Sequence, residues 1–361
     1  MPFPDIPSAR SVSLHPPSWL SAVADGILPP RGRMPEKTDG GSALLRLLAM
    51  GAVIGIHMDA FFPLSGGGTA GRDVIHALYA CCFWSVPAFV LLSGYHAMAD
   101  LDALPPSAYF GKRLWRLLVP LLFWGLVYTW LPSGSGWTGM KAVARDWLQC
   151  SPAFHLWYIF MLVGLCLVAP LCGRWAKNAW AWGAVAVFQL VVMADPVFWI
   201  SGIFRCPLLI SVPYVGLFTL GCRLSIRGIG RGAGRTAALA AVAYFCCMIF
   251  ISLHGAGRFR YPFYNYLGLG GLWGGLSVTV AVLHAGKSFP PALSAFLFRL
   301  SKAVFGTYLV HPLLMGAFAK MLPPEAGSAA WFRPVLVFGV FAASMALSSL
   351  LLKIPGLRRV V

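Results

Sequence analysis

Ten apolar runs, separated by short polar breaks, make up most of the chain: near 44–62, 76–98, 117–131, 155–172, 179–194, 207–222, 236–253, 264–283, 301–319 and 334–352. Runs of this length point to lipid rather than water as the solvent, although several fall short of the roughly 20 residues of a full crossing. No break is long enough to hold a soluble domain. The pattern predicts an all-α membrane protein, a bundle of about ten transmembrane helices spanning 42–352, with both termini cytoplasmic. Residues 1–41 are polar, rich in Pro and Gly, and carry no apolar core of a cleaved signal, so they read as a flexible cytoplasmic tail. Residues 353–361 read as a short basic cytoplasmic tail.

Composition agrees with the pattern. The chain is 58% hydrophobic and only 11% charged, against about 45–50% and about 25% in a soluble domain. The net charge of +17 would suggest nucleic acid in a soluble protein. Here the basic residues lie between apolar runs, where membrane orientation explains them and nucleic acid is not needed. With the N-terminus inside and ten crossings, twenty Lys and Arg fall on inner segments and eight on outer ones, the bias that cytoplasmic loops show. Nine or eleven crossings would scramble it. The nine cysteines have no metal-ligand spacing; Cys81-Cys82 and Cys246-Cys247 read as small packing residues. Cys150 and Cys206, in two outer loops, are candidates for a disulfide. Gly270, Gly271, Gly274 and Gly275 set small residues four apart, which permits close helix packing. No internal repeat supports an inverted-repeat transporter.

Polar groups inside lipid are costly, and each therefore raises a functional question. Arg46 and His57 are eleven residues apart, which on a helix puts them within about 20° of one face and about 16 Å apart along the axis. A structural reading has Arg46 anchoring the helix end and His57 bonding a neighbouring helix. Lys112, Arg113 and Arg116 precede the third run; Arg113 and Arg116 are helix neighbours whose paired guanidinium forks suit a phosphate, or else simply flank a span. Ser93, Gly94 and Tyr95 follow Pro87 on the second run, where the proline can kink the helix and the small pair admits a ligand or another backbone. Tyr308 and His311 share a face on the ninth run, and Pro312 interrupts the hydrogen-bond ladder beside them. The structural reading there pairs His311 with a carbonyl that the proline frees. His155, Trp157 and Tyr158 open the fourth run on the outer side, as an interfacial aromatic belt or as acceptor-binding groups. Asp59, at the outer end of the first run, points to a different face from His57. No run offers a carboxylate pair for glycosidase chemistry, and the chain has no P-loop or GxGxxG.

In this order the segments resemble the acyltransferase-3 family of bacterial integral membrane acyltransferases, of the glycan O-acetyltransferase type. The resemblance rests on Arg46 with His57, on VPAFVLLSGY from Val86, KRLWRLLVP from Lys112, HLWY from His155, YVGLFTLGCRL from Tyr214 and FGTYLVHP from Phe305. It covers roughly 42–350. It implies a ten-helix domain in the bacterial inner membrane that moves an acyl group from cytoplasmic acyl-CoA to a hydroxyl of an extracytoplasmic glycan. It implies that Arg46, Arg113 and Arg116, with Lys112, Ser93 and Tyr95 beside them, hold the acyl-CoA and that His57 is catalytic. Trp157, His155, Tyr308, His311 and Asp59 are then candidates for the acceptor side or for support. Acyl-CoA, acetyl-CoA in the leading reading, is a co-substrate; no bound cofactor or metal is expected. Many family members carry a fused SGNH-type domain, and here only a short basic tail follows the tenth run, so a second transfer step calls for a separate periplasmic partner or the acceptor itself. Glu325, in an outer loop, is the one late acidic candidate to pair with His57.

With an ordinary pKa of about 6.5, His57 suits a general base on the acceptor hydroxyl, and an acyl-imidazole on His57 is equally open. The alternative class is a transporter or flippase of a glycan substrate, which would use the same intramembrane Arg and His as a pathway.

Overall fold

A computed structural model describes residues 39–62, 69–130, 146–149, 152–194, 209–254, 263–323 and 329–361. The N-terminal tail, Cys150, Cys206 and Glu325 lie outside the described residues. The described part is helical, with no strand among its elements. Twelve α-helices follow in order: α1 Gly40–Phe61, α2 Thr69–Ala80, α3 Ser85–Ala103, α4 Pro106–Trp130, α5 Trp157–Lys177, α6 Ala179–Ala194, α7 Val215–Arg227, α8 Arg231–His254, α9 Leu269–Gly286, α10 Pro291–Ser301, α11 Val304–Met321 and α12 Phe332–Lys353.

All ten apolar runs contain helix. Six stretches are long and apolar enough to cross a membrane, counting Gly71–Ala103 as one, and α10 with α11 makes a seventh if that pair, bent by 48°, is a single span. The rest fall short for visible reasons. α6 has 16 residues and α7 has 13, while α4 dilutes its apolar run with Lys112, Arg113 and Arg116.

Helix ends follow local chemistry. Asp39 caps α1 by accepting from the Ser42 amide at 3.1 Å and from the Ser42 hydroxyl. Pro106 opens α4, where its missing N–H costs no ladder bond. The helix therefore starts eleven residues before the apolar run, and Lys112, Arg113 and Arg116 ride within it. α3 likewise runs on past the apolar run to Ala103, stopping before Pro105, and carries Asp100 and Asp102 in its last turn. α7 closes on Gly228, whose φ of +67° a side chain would resist and whose N–H returns to the Leu224 carbonyl.

Three features go beyond the pattern of apolar runs. The second run is two helices with turns at residues 81–84 between them. The break lies just before Pro87, which cannot bond the Phe83 carbonyl one turn back. A helix at 291–301 precedes the ninth run, and Ser348 and Thr307 hydroxyls both donate to the Ala303 carbonyl at the bend. The final residues fold back on the bundle. Gly356 turns at φ +94°, the Trp124 indole N–H donates to the Val360 carbonyl at 2.7 Å, and Val361 packs against the same apolar cluster as Phe305.

α1 is the central helix, packed against α3, α9, α10, α11 and α12. The tightest pair is α3 with α7. A Cβ on Gly94 would stand 2.0 Å from the Phe218 carbonyl oxygen, and one on Gly221 the same distance from that of Leu91. Glycines on α9 do similar work: Gly274 lies under the Tyr244 ring and Gly275 against Pro87. At the C-terminal end of α1, Asp59 pairs with Arg333 of α12 at 2.6 Å, and Arg333 also donates to the Phe62 carbonyl. Arg333 is buried there while 37% of the Asp59 side chain is exposed, so the two helices are joined by a charge pair only partly out of solvent.

Candidate active site

His57 sits in the last turns of α1, half-buried, on the face that also carries Met50 and Val53 into the core shared with α11. His311 of α11 lies beside it, rings 5.5 Å apart and 24° from parallel. His155, in the turn that enters α5, meets the His311 ring edge-on at 5.4 Å. Phe154 meets the His57 ring edge-on at 4.9 Å. Three histidines from three distant segments therefore meet in one cluster, flanked by Tyr128, Tyr158 and Tyr308.

Hydrogen bonds hold this cluster together. Tyr308 donates its hydroxyl to the His155 carbonyl, which ties α11 to the entry of α5. Tyr128 donates to the Leu309 carbonyl at 2.6 Å, tying α4 to the same turn of α11. His311 Nδ1 lies 2.7 Å from the Tyr308 carbonyl, the acceptor that an N–H at position 312 would have used and that Pro312 leaves free. A carbonyl only accepts, so Nδ1 carries the hydrogen and Nε2 is the lone-pair nitrogen of the neutral ring. That Nε2, and both ring nitrogens of His155, are buried without a hydrogen-bond partner among the described residues. Although the rings converge, no group of three His, Cys, Asp or Glu among the described residues is placed to hold a metal ion.

His155 is the largest change from the belt reading. It is 1% exposed, because the turn before α5 tucks it between Tyr128 and Tyr308 instead of leaving it at an interface. Trp157 is set apart from the histidines, packed near Tyr214 and Tyr266. Asp59 is turned away to Arg333, as its angular offset from His57 requires.

A second cluster forms at the opposite end of α1. Arg46 is half-buried one turn and a half into the helix. His96, Asp39, Arg113 and Asp100 gather with it: His96 lies within electrostatic reach of all four. Asp100 takes both Lys112, at 3.1 Å, and Arg113, at 2.8 Å. Arg113 also stands over the Tyr109 ring. Arg116 is exposed and makes no ion pair among the described residues. Tyr95 packs edge-on against His96. Ser93, one turn nearer the histidines, donates to the Phe89 carbonyl and neighbours the Tyr158 hydroxyl. Arg46 and Arg113 are thus brought together, Arg116 stands outside the pair, and Ser93 with Tyr158 lies between the basic cluster and the histidines.

Asp100, Tyr128 and His96 were not singled out in the sequence. Asp100 could have been, since only the Leu104–Pro105 connector separates its helix from the one bearing Lys112 and Arg113. Tyr128 and His96 carry no such local signal.

The two clusters, one basic and one of histidines, are carried by one helix about 16 Å apart by its rise per residue. Against known proteins, a family model described as an acyltransferase domain matches residues 40–353, an interval that holds every residue of both clusters except Asp39. Neither the curated proteins nor the solved structures give a match. The chain belongs to the acyltransferase-3 family and is a multi-pass membrane acyltransferase.

Proposed function

We propose that the protein is an O-acyltransferase of the bacterial inner membrane, moving an acetyl group from cytoplasmic acetyl-CoA to a hydroxyl of an extracytoplasmic glycan. In this reading the chain crosses the membrane ten times with both termini inside. The observation that carries it is the geometry of α1. Arg46 and its basic neighbours gather at one end, and His57 stands about 16 Å away toward the other. A donor with an anionic head and a long thin arm fits that separation: phosphates at the basic cluster, thioester at the histidines. Arg46, Arg113 and Arg116 take the phosphates, with Lys112 at the rim. Ser93 and Tyr158 lie where the amides of the arm would pass, with Tyr95 at its start. His57 meets the thioester, and His155, Tyr308 and His311 line the acceptor side. Trp157 and Asp59 support the pocket through packing and the tie to α12. A transporter reading needs a polar path as well, but has no use for a basic cluster at one end only.

The deciding measurement is transfer of radiolabelled acetyl from acetyl-CoA into the glycan fraction of membranes containing the protein. Label in that fraction, competed by unlabelled acetyl-CoA, is the expected result. No label with a range of CoA donors and glycan acceptors overturns the reading in favour of transport.

The ion pairs give a second expectation. Asp100 holds two of the proposed phosphate ligands, so a CoA phosphate must compete with its carboxylate for Arg113. Asp100→Asn is expected to lower the KM for acetyl-CoA several-fold with little change in kcat, since hydrogen bonds to charged groups are each worth about 1.5–3 kcal/mol. A raised KM would mean that Asp100 orients the arginine and does not compete for it.

A further inference from the structure

His311 is buried at 0% exposure, and its surroundings define more than a packed ring. Pro312 withdraws the N–H that would occupy the Tyr308 carbonyl. His311 Nδ1 takes that carbonyl at 2.7 Å, which places the lone pair of the neutral ring on Nε2. A buried acceptor without a partner is costly and calls for an explanation. Nε2 is such an acceptor among the described residues, and the two ring nitrogens of His155 are orphaned beside it. His57, the half-exposed member of the trio, presents a nearly parallel ring 5.5 Å away. A hydroxyl that donated to Nε2 would satisfy it beside the His57 ring.

We propose that His311 is a second catalytic histidine, the base that takes the proton from the acceptor hydroxyl, held in the correct tautomer by the carbonyl that Pro312 frees. The proposal rests on the acyltransferase reading above. As the acceptor oxygen bonds to the acyl carbon, the O–H proton passes to His311 Nε2. The bond from the acyl carbon to its leaving atom breaks, and its electron pair stays on that atom: the sulfur of CoA in direct transfer, or a ring nitrogen of His57 if the acyl group rests there first. In the second case the C–S bond has already broken to give the CoA thiolate. The proton on His311 finally balances that thiolate, so thioester and hydroxyl become ester and thiol. The Tyr308 carbonyl stabilises the imidazolium through its charge-assisted bond to Nδ1–H. With proton removal assigned to His311, His57 is left free to act on the acyl carbon.

A merely structural histidine and a base are separated by the choice of acceptor. Hydroxylamine attacks through its nitrogen lone pair and needs no base to become nucleophilic, whereas a sugar hydroxyl does. Wild type, His311→Gln and Pro312→Ala would be compared in membranes with acetyl-CoA as donor, and either the envelope glycan fraction or hydroxylamine as acceptor. His311→Gln is expected to lose transfer to glycan by about 10²–10⁴-fold while keeping transfer to hydroxylamine within a few-fold of wild type. Pro312→Ala restores an N–H that competes for the Tyr308 carbonyl; it is expected to lower glycan transfer and spare hydroxylamine in the same way. Equal loss with both acceptors, in either variant that accumulates in the membrane, overturns the role of base. Retention of glycan transfer by His311→Gln overturns it as well. Absence of transfer by wild type would instead remove the acyltransferase reading, and this proposal with it.

Discussion

His57→Ala is expected to lower acetyl transfer at least ~10³-fold while leaving the protein folded and the KM for acetyl-CoA near that of wild type. The reasoning is one of unequal losses. Structurally, the variant forfeits a ring stack on His311 and an edge contact with Phe154, worth about 0.5–1.5 kcal/mol each beyond area. Among the described residues no hydrogen bond passes through the His57 ring, so its removal orphans no buried group there. Chemically, the variant deletes the one half-exposed imidazole of the three, the group proposed to meet the acyl carbon. The donor's phosphates would sit at the far end of α1 and would not feel the change. Kinetics at matched protein levels, with size-exclusion profiles in detergent, check the split. A rise in KM with kcat intact would place His57 in binding, and unchanged transfer would take it out of the mechanism.

What could be read from the chain divides along the range of the interaction. A helix in lipid needs continuous apolar side chains, so the ten runs were visible and each contains a helix. Boundaries were not, because polar residues ride inside helices wherever a neighbour satisfies them. α3 carries Asp100 past the apolar run because Lys112 and Arg113 meet it from α4. The helix at 291–301 does not stand out in the apolar pattern because it is short and carries Arg299 among its apolar residues. At the site, the Arg46–His57 register was legible since it depends only on helical rise and twist. The bond from His311 to the freed carbonyl could be anticipated too, since it needs only the adjacent proline. The burial of His155 could not be: a His-Leu-Trp-Tyr sequence looks the same at an interface as in a core, and only the arrival of Tyr128 and Tyr308 from other helices decides. Ser93-Gly94 shows the same division. Gly94 serves the approach of α7, not of a ligand, and that contact is set by the reciprocal Gly221 on a helix far along the chain.

That contact gives the largest expected effect on stability. Gly94→Ala and Gly221→Ala each place a methyl 2.0 Å from a backbone carbonyl oxygen of the facing helix. Backbone cannot rotate out of the way as a side-chain tip can, so α3 and α7 must separate by more than 1 Å to reach ordinary contact near 3.4 Å. Separation loosens the packing of Leu91, Leu217 and Phe218, all buried in the same cluster, and lengthens the weak bond from Cys222 to the Gly94 carbonyl. Overpacking of this kind costs about 1–3 kcal/mol and more where the obstacle is backbone. A fall of several degrees in the midpoint of thermal unfolding in detergent is therefore expected for each variant. The control is Gly183→Ala on α6, where an added Cβ meets nothing within 4 Å. There the same exchange removes a flexible residue from a helix and is expected to stabilise by about 0.5–1 kcal/mol. Opposite signs at matched chemistry would isolate the helix contact as the cause. A neutral Gly94→Ala would show that α3 and α7 can move apart freely, and the positions of Ser93 and Tyr95, which flank Gly94 in the proposed acyl-CoA path, would then be adjustable rather than fixed by the bundle.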